Sequence, residues 1–256
     1  MEKAIVRLYV DQPLGAGQSV PLTRDQAHYL FGVMRQAAGA AVALFNGRDG
    51  EYLAHVQEAG KRGGVLVCAT QTRPLQAPPD LWLLFAPIKK ARTDFIVEKA
   101  AEMGAARICP VQTALTNAAR IRRDRLQAHV IRAVEQCGGT FVPEVAEMRR
   151  LSARLSDWPP DRRLMFCDEA LAGAGRALPV TGGGGKDDGG KWAILIGPEG
   201  GFSASERDRL CAMPGACAVS LGPRVLHADT AVVAAMTVWQ QALGDWRADD
   251  RSGVVP

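Results

Sequence analysis

Apolar residues come in short bursts along this chain, and two bursts near its end set the architecture. Trp192–Ile196 is a continuous apolar run, the pattern of a strand covered on both faces. It stops at Gly197-Pro198, where glycine permits unusual backbone angles and proline ends pairing. Ser203-Ala-Ser-Glu206 is then a capping-box pattern opening a helix through about Met213. Ala216–Leu221 reads as a second strand, again stopped by Gly-Pro, at Gly222-Pro223. Two parallel strands would thus each release a glycine-proline loop on one edge of a sheet, the edge where open α/β sheets bind ligands. The last helix, Thr230–Leu243, is apolar nearly all round and needs burial on more than one side, which favours a dimer interface.

The pattern upstream is shorter-ranged. Ala4–Val10, Ala41–Phe45, Glu51–Gln57 and Val65–Thr70 read as strands of a small β-rich domain covering residues 1–72. Thr23-Arg-Asp-Gln26 is a capping-box pattern before a short helix through about Arg35, and Asn46–Gly50 is a turn-rich hairpin connection. Residues 73–80, with Pro74, Pro78 and Pro79, form a stiff linker. A second domain, 81–246, follows, and residues 247–256 read as a tail. In that domain Leu81–Ala86, Arg107–Val111 and Leu164–Cys167 are expected strands. Helices are expected from Thr93 or Asp94 to Gly104, from about Arg122 to Cys137, and over Arg149–Trp158. Gly182–Lys191 carries six glycines and is a surface excursion without assigned chemistry.

Composition narrows this picture. At 256 residues and 47% hydrophobic content, the chain suits one large or two modest globular domains. No apolar run approaches the roughly 20 residues that span a bilayer, and the N-terminus lacks the apolar block of a signal peptide. The six cysteines are scattered, without Cys-x-x-Cys or a neighbouring histidine, so neither a metal site nor a disulfide framework is expected. A reducing, cytoplasmic setting fits. Formal charge is a mild +4, and its distribution says more than its total. Arg120, Arg122, Arg123 and Arg125 crowd a helix start, where positive charge opposes the helix dipole. Nucleic-acid phosphate would favour that arrangement, and so would a merely solubilising surface. Asp94, Glu98 and Glu102 lie four apart, either as a solvated stripe or as partners for arginines elsewhere. There is no Gly-Lys-Ser/Thr phosphate loop and no Gly-x-Gly-x-x-Gly after a strand.

Ile196-Gly-Pro-Glu-Gly-Gly-Phe-Ser203 and Leu221-Gly-Pro-Arg-Val-Leu-His-Ala-Asp-Thr-Ala231 resemble the two loop motifs of the RsmE family, which belongs to the SPOUT methyltransferases. The N-terminal pattern of Arg35, Phe45-Asn46-Gly47 and Glu51-Tyr52 is similar to that family's PUA-like β-barrel, and Val134–Pro143 to another of its blocks. The resemblance implies an α/β fold: a SPOUT-type parallel sheet with a deep C-terminal trefoil knot, preceded by the barrel. It also implies S-adenosylmethionine as cofactor, a homodimer formed through the C-terminal domain, and methylation of N3 of one uridine in the decoding region of 16S ribosomal RNA in the small subunit. Cofactor contacts carry over to Ile196, Gly197, Gly200, Leu221, Gly222 and Leu226. Leu195, Glu199 and Gly201, in the same loop region, are further candidate cofactor contacts.

Methyl transfer to a uracil nitrogen needs the reacting atoms held in line, a departing imide proton, and stabilisation of charge on O2 and O4. Arg224 is the candidate for charge stabilisation, with Glu199 and His227 as candidate bases. Glu199 could equally brace its loop, and Asp229 reads as the N-cap of the last helix. Candidate RNA contacts are Arg35, Lys89, Lys90, Arg92, Arg120, Arg122 and Arg123. Two positions depart from the family pattern: Gly139 and His227 stand where it usually has arginine. The same loops serve SPOUT enzymes acting on transfer RNA or on a ribose 2′-hydroxyl, and a non-catalytic RNA-binding relative would also retain the fold.

Overall fold

Residues 4–60, 62–118, 120–173 and 190–246 are described by the computed structural model. Contacts divide the chain into two units. The first runs to Ala77 and adds Ile131–Val142; the second takes Pro78–Val130 and the chain from Pro143 on.

In the first unit, β1 (Val6–Tyr9), β2 (Ser19–Pro21), β3 (Ala41–Phe45), β4 (Glu51–Gly60) and β5 (Gly63–Arg73) form one sheet. Its order is β1-β3-β4-β5-β2. Only β1 and β3 pair in parallel among these neighbours. One face closes over Val20, Leu30, Val42, Leu44, Ala54 and Leu66, all fully buried. The capping box forms as its spacing predicts: Gln26 N donates to Thr23 Oγ1, and Thr23 N donates to the Gln26 side chain. The helix it opens is α1 (Arg24–Ala27), which then widens into a π-helical turn over His28–Val33. The hairpin loop is held by Asn46, whose Oδ1 accepts from the backbone N–H groups of Arg48 and Asp49.

Glu51 sits at the centre of this unit's polar bracing. Arg7 Nε and Arg73 Nη2 reach its Oε2 at 2.5 and 2.6 Å, and Thr72 Oγ1 donates to Oε1. Burial alone would raise the Glu51 pKa, but these three donors outweigh it and hold the carboxyl down at about 2. Arg7 also donates to the backbone oxygens of Val134, Glu135 and Gly139. Those lie at the end of α3 (Arg123–Cys137), whose last carbonyls have no partner within the helix. Segment 131–142, expected in the second domain, is therefore fastened to the first unit.

The second unit is built on a sheet in which every pairing is parallel. Its strands are β6 (Leu81–Phe85), β7 (Arg107–Gln112), β8 (Glu144–Val145), β9 (Arg149–Arg150), β10 (Arg163–Cys167), β11 (Trp192–Ile196) and β12 (Ala216–Val219). The order is β12-β10-β11-β6-β7-β8, with β9 beside β7. The helices of this unit are α2 (Lys90–Glu102), the first half of α3, α4 (Leu151–Ser156), α5 (Ala204–Ala212) and α6 (Ala228–Leu243). On one side of the sheet Leu84, Cys109, Leu164, Phe166 and Leu195 pack with Leu210 of α5. Arg162, 4% exposed, braces the strand starts: it donates to both Asp80 carboxylate oxygens and to Trp192 O, and lies 3.7 Å above the Trp82 ring.

Three expected elements shift. α2 begins at Lys90, several residues before Thr93, so Lys90 and Arg92 lie in its first turn instead of a loop. Thr93 does not start the helix; its hydroxyl is within 3.1 Å of both the N and O of Ile88 and fixes the approach. Arg149–Trp158 divides into β9 and the six-residue α4, because Arg149 and Arg150 are drawn into pairing with β7. Asp229 is not the cap of α6: His227 occupies that position without a side-chain cap bond, and Asp229 lies in the first turn. The excursion 182–189 and the tail 247–256 lie outside the described residues.

Candidate functional site

The Gly-Pro loops end β11 and β12, and β10 lies between those two strands with both pairings parallel. All three carboxyl ends therefore open on one edge, and a cleft of about 540 Å³, counting space open to solvent, sits there. From the first loop it is lined by Ile196, Gly197, Pro198, Gly201 and Phe202. From the second come Val219, Ser220, Leu221, Gly222, Arg224, Val225 and Leu226. The floor is formed by Ala228 and Ala231 of α6 and by Cys167. Burial pushes the Cys167 thiol well above its ordinary pKa, so it lines the cleft as a neutral group.

The sequence locates the loops because glycine and proline punctuate them. Ser203 caps α5 through Glu206 N, and the Glu206 carboxylate returns to Ser203 N, which fixes where the first loop ends. Gly201 (φ +69°) and Gly222 (φ +115°) occupy backbone regions that side chains disfavour. At Gly197 a Cβ would press on the Phe202 ring at 3.2 Å, so this glycine lets the ring fold over the strand end.

Other candidate residues lie around this cleft without lining it. Leu195 points into the core. Gly200 packs near Leu115. Glu199 is at the rim: Arg92 Nη1 donates to its Oε1 at 3.3 Å, His227 Nδ1 is 4.0 Å away, and Arg92 Nε is 3.8 Å from Asp229. Arg92 thus links α2, the first loop and the start of α6. Arg224 faces the cleft and is exposed, with no ion-pair partner among the described residues.

One feature escaped the sequence reading. Asp168 and Glu169 directly follow β10 and line the cleft between the two loops. Asp168 is buried and accepts from Ala170 N and Arg207 Nη2. Glu169 is exposed, and its carboxylate occupies the place a Cβ on Gly201 would need. The strand was legible but its place in the sheet was not. Acids after an edge strand would have had no such significance.

A second cavity, about 810 Å³ counting open space, lies between Pro87–Thr93 and Ala118–Arg125. Lys90, Arg120, Arg122 and Arg125 line it. Arg125 pairs with Asp94, and His129 lies against both Asp94 and Glu98, so α3 does supply partners to the acidic stripe of α2. Arg122 pairs with Asp124, while Arg123 pairs with Glu144 and donates to Val145 O. Lys89, Lys90 and Arg120 are exposed and without ion-pair partners among the described residues. Arg35, in the first unit, is exposed with φ +53°, the only non-glycine residue of positive φ among those described.

Residues 76–240 match the family model of an RNA methyltransferase domain, and residues 22–67 that of an RNA methyltransferase PUA domain. The chain belongs to the RsmE family of RNA methyltransferases. It is 26% identical to the ribosomal RNA small subunit methyltransferase E of Rickettsia conorii, over 90% of this chain and 93% of that one. A ribosomal RNA small subunit methyltransferase E from Neisseria gonorrhoeae, solved bound to S-adenosyl methionine, superposes with a TM-score of 0.81 at 27% identity, covering 94% of this chain and 99% of that one. A putative methyltransferase from Legionella pneumophila, solved with SAM bound, gives a TM-score of 0.82 at 27% identity, over 95% and 100% of the two chains. The α/β fold with its parallel sheet and PUA-like domain agrees with the expectation from the loop motifs.

Proposed function

We propose that this protein transfers the methyl group of S-adenosylmethionine to N3 of one uridine in the decoding region of 16S ribosomal RNA, acting on the small subunit as a homodimer. The observation that carries the proposal is the single cleft shared by both glycine loops at the carboxyl edge of a parallel sheet. The cleft suits the cofactor by its lining, which combines apolar side chains with glycine backbone. Ile196, Phe202, Leu221 and Leu226 offer apolar surface to an adenine. Gly197, Gly201 and Gly222 let backbone groups approach a ribose closely. Support also comes from the two relatives solved with S-adenosyl methionine.

When bound, the cofactor supplies an electrophilic methyl group on a positively charged sulfur. Arg224, unpaired beside the cleft, is positioned to stabilise the negative charge that develops on uracil O2 and O4. Glu199 and His227, which face each other at the cleft rim, are the candidates to receive the imide proton. The Arg92 contact favours a bracing role for Glu199, which leaves His227 the freer of the two. In this reading Lys89, Lys90 and Arg120 take phosphates, helped by Arg122, which lines the second cavity, and by Arg123, and Arg35 adds a contact from the PUA-like unit. The half-exposed Val233 and Ala234 and the exposed Val238 of α6 are the proposed dimer contacts. The deep knot of the C-terminal domain enters the proposal through the family match. Such knots are otherwise rare.

Calorimetric titration with S-adenosylmethionine is the first test, followed by mapping the methylated base after reaction with small-subunit RNA or assembled subunits. Saturable binding and a methyl group on uridine N3 are expected. A methyl group on a ribose hydroxyl, or on transfer RNA alone, would overturn the substrate assignment. His227→Ala is expected to lower the rate about tenfold or more, with His227→Arg retaining RNA affinity. Unchanged rates in both variants would remove His227 from the mechanism.

A further inference from the structure

Among the acids that line the cleft, Glu169 stands apart. Asp168 is buried and neutralised by Arg207, whereas the Glu169 carboxylate accepts no hydrogen bond and has no ion pair among the described residues. Its carboxylate lies beside the Gly201 turn, in the space a Cβ there would take. The backbone there is left-handed, at φ +69°. Besides the paired Asp168, the cleft wall thus carries a bare carboxylate, and Arg224 is the other charged side chain there without an ion-pair partner among the described residues. Although exposed and partly screened by water, a charge on the cleft wall acts on whatever occupies the cleft.

We infer that Glu169 is the counter-charge for the cofactor's sulfonium and makes the cleft discriminate between cofactor and product. This rests on the methyltransferase reading above. In the transfer the S–CH3 bond breaks, its electron pair stays on sulfur, and the new N–CH3 bond forms as the imide proton leaves. The ligand therefore enters with a sulfonium and remains as a neutral thioether, while its ammonium and carboxylate are unchanged. A carboxylate near sulfur stabilises the first form and not the second, which assists product release. A carboxylate near the ammonium, or one that accepts from ribose hydroxyls, would hold both forms equally.

The test is calorimetric affinity for S-adenosylmethionine, S-adenosylhomocysteine and sinefungin, which carries an ammonium near the sulfonium position. Each is measured for wild type, Glu169→Gln and Glu169→Asp at low ionic strength, with thermal midpoints to check folding. Glu169→Gln is expected to weaken S-adenosylmethionine and sinefungin about 5–10-fold and S-adenosylhomocysteine less than about twofold, as one partly screened charge pair allows. Glu169→Asp should restore most of the difference. Equal losses for all three ligands, or no loss for any, would overturn the inference while leaving the methyltransferase reading intact. A wild-type protein that binds none of them would overturn that reading, and this one with it.

Discussion

At Gly201 two constraints coincide: the backbone sits at φ +69°, and the Glu169 carboxylate fills the space of a Cβ. Gly201→Ala is therefore expected to cost about 1–2 kcal/mol in stability. Because the displaced carboxylate lies in the cleft, affinity for S-adenosylmethionine should fall as well. An alanine variant with wild-type affinity and thermal midpoint would show that neither constraint acts. Glu51 is the corresponding residue in the first unit. Its folded-state pKa, about 2 against an ordinary 4.5, is depressed, so its contribution is fully present above pH 4.5 and is lost as pH falls towards 2. The shift corresponds to about 3 kcal/mol. Glu51→Gln should lower stability at neutral pH by a similar amount, since it leaves Arg7 facing no charge. Urea midpoints followed by circular dichroism across this window are the check. The gap between wild type and variant should narrow as pH falls, and a constant gap would exclude the linkage.

Elements show where the sequence was legible. Both capping boxes form as their spacing indicates, because a Ser or Thr hydroxyl and a Glu or Gln three residues on satisfy each other's backbone groups locally. Ser203→Ala should cost about 1 kcal/mol and loosen the first loop, since Ser203 both starts α5 and ends the loop. A thermal midpoint equal to wild type would show that Glu206 alone holds the turn. β11 and β3 match their expected bounds because uninterrupted apolar runs end at glycine or polar residues. What failed depends on partners distant in sequence. The strand character of Arg149 and Arg150 comes from β7; the early start of α2 is the exception, set locally by Thr93 bonding back to Ile88. The fastening of segment 131–142 to Arg7 joins residues more than a hundred positions apart. The cleft followed the same division: its two loops could be read, whereas the acids between them required the order β12-β10-β11.

For the whole molecule, a net charge of +4 is too small to bind RNA by total attraction, so placement decides. Most arginines that crowd the start of α3 are already matched: Arg122 by Asp124, Arg123 by Glu144, Arg125 by Asp94. A cation with a carboxylate partner gains less from a phosphate, because the existing pair must first be broken. Lys89, Lys90 and Arg120, without ion-pair partners among the described residues, are therefore expected to supply most of the counterion release on this face. In the proposed RNA complex, replacing all three by glutamine should reduce the slope of log affinity against log salt by about 2 to 3, at roughly 0.7–0.9 per phosphate contact. Replacing Arg122 and Arg123 should change it by less than about 1 on the same scale. Filter-binding titrations with small-subunit RNA over a range of salt concentrations would measure both slopes. If the Arg122 and Arg123 variant loses the larger slope, those pairs open on binding, and the crowded helix start carries the RNA after all.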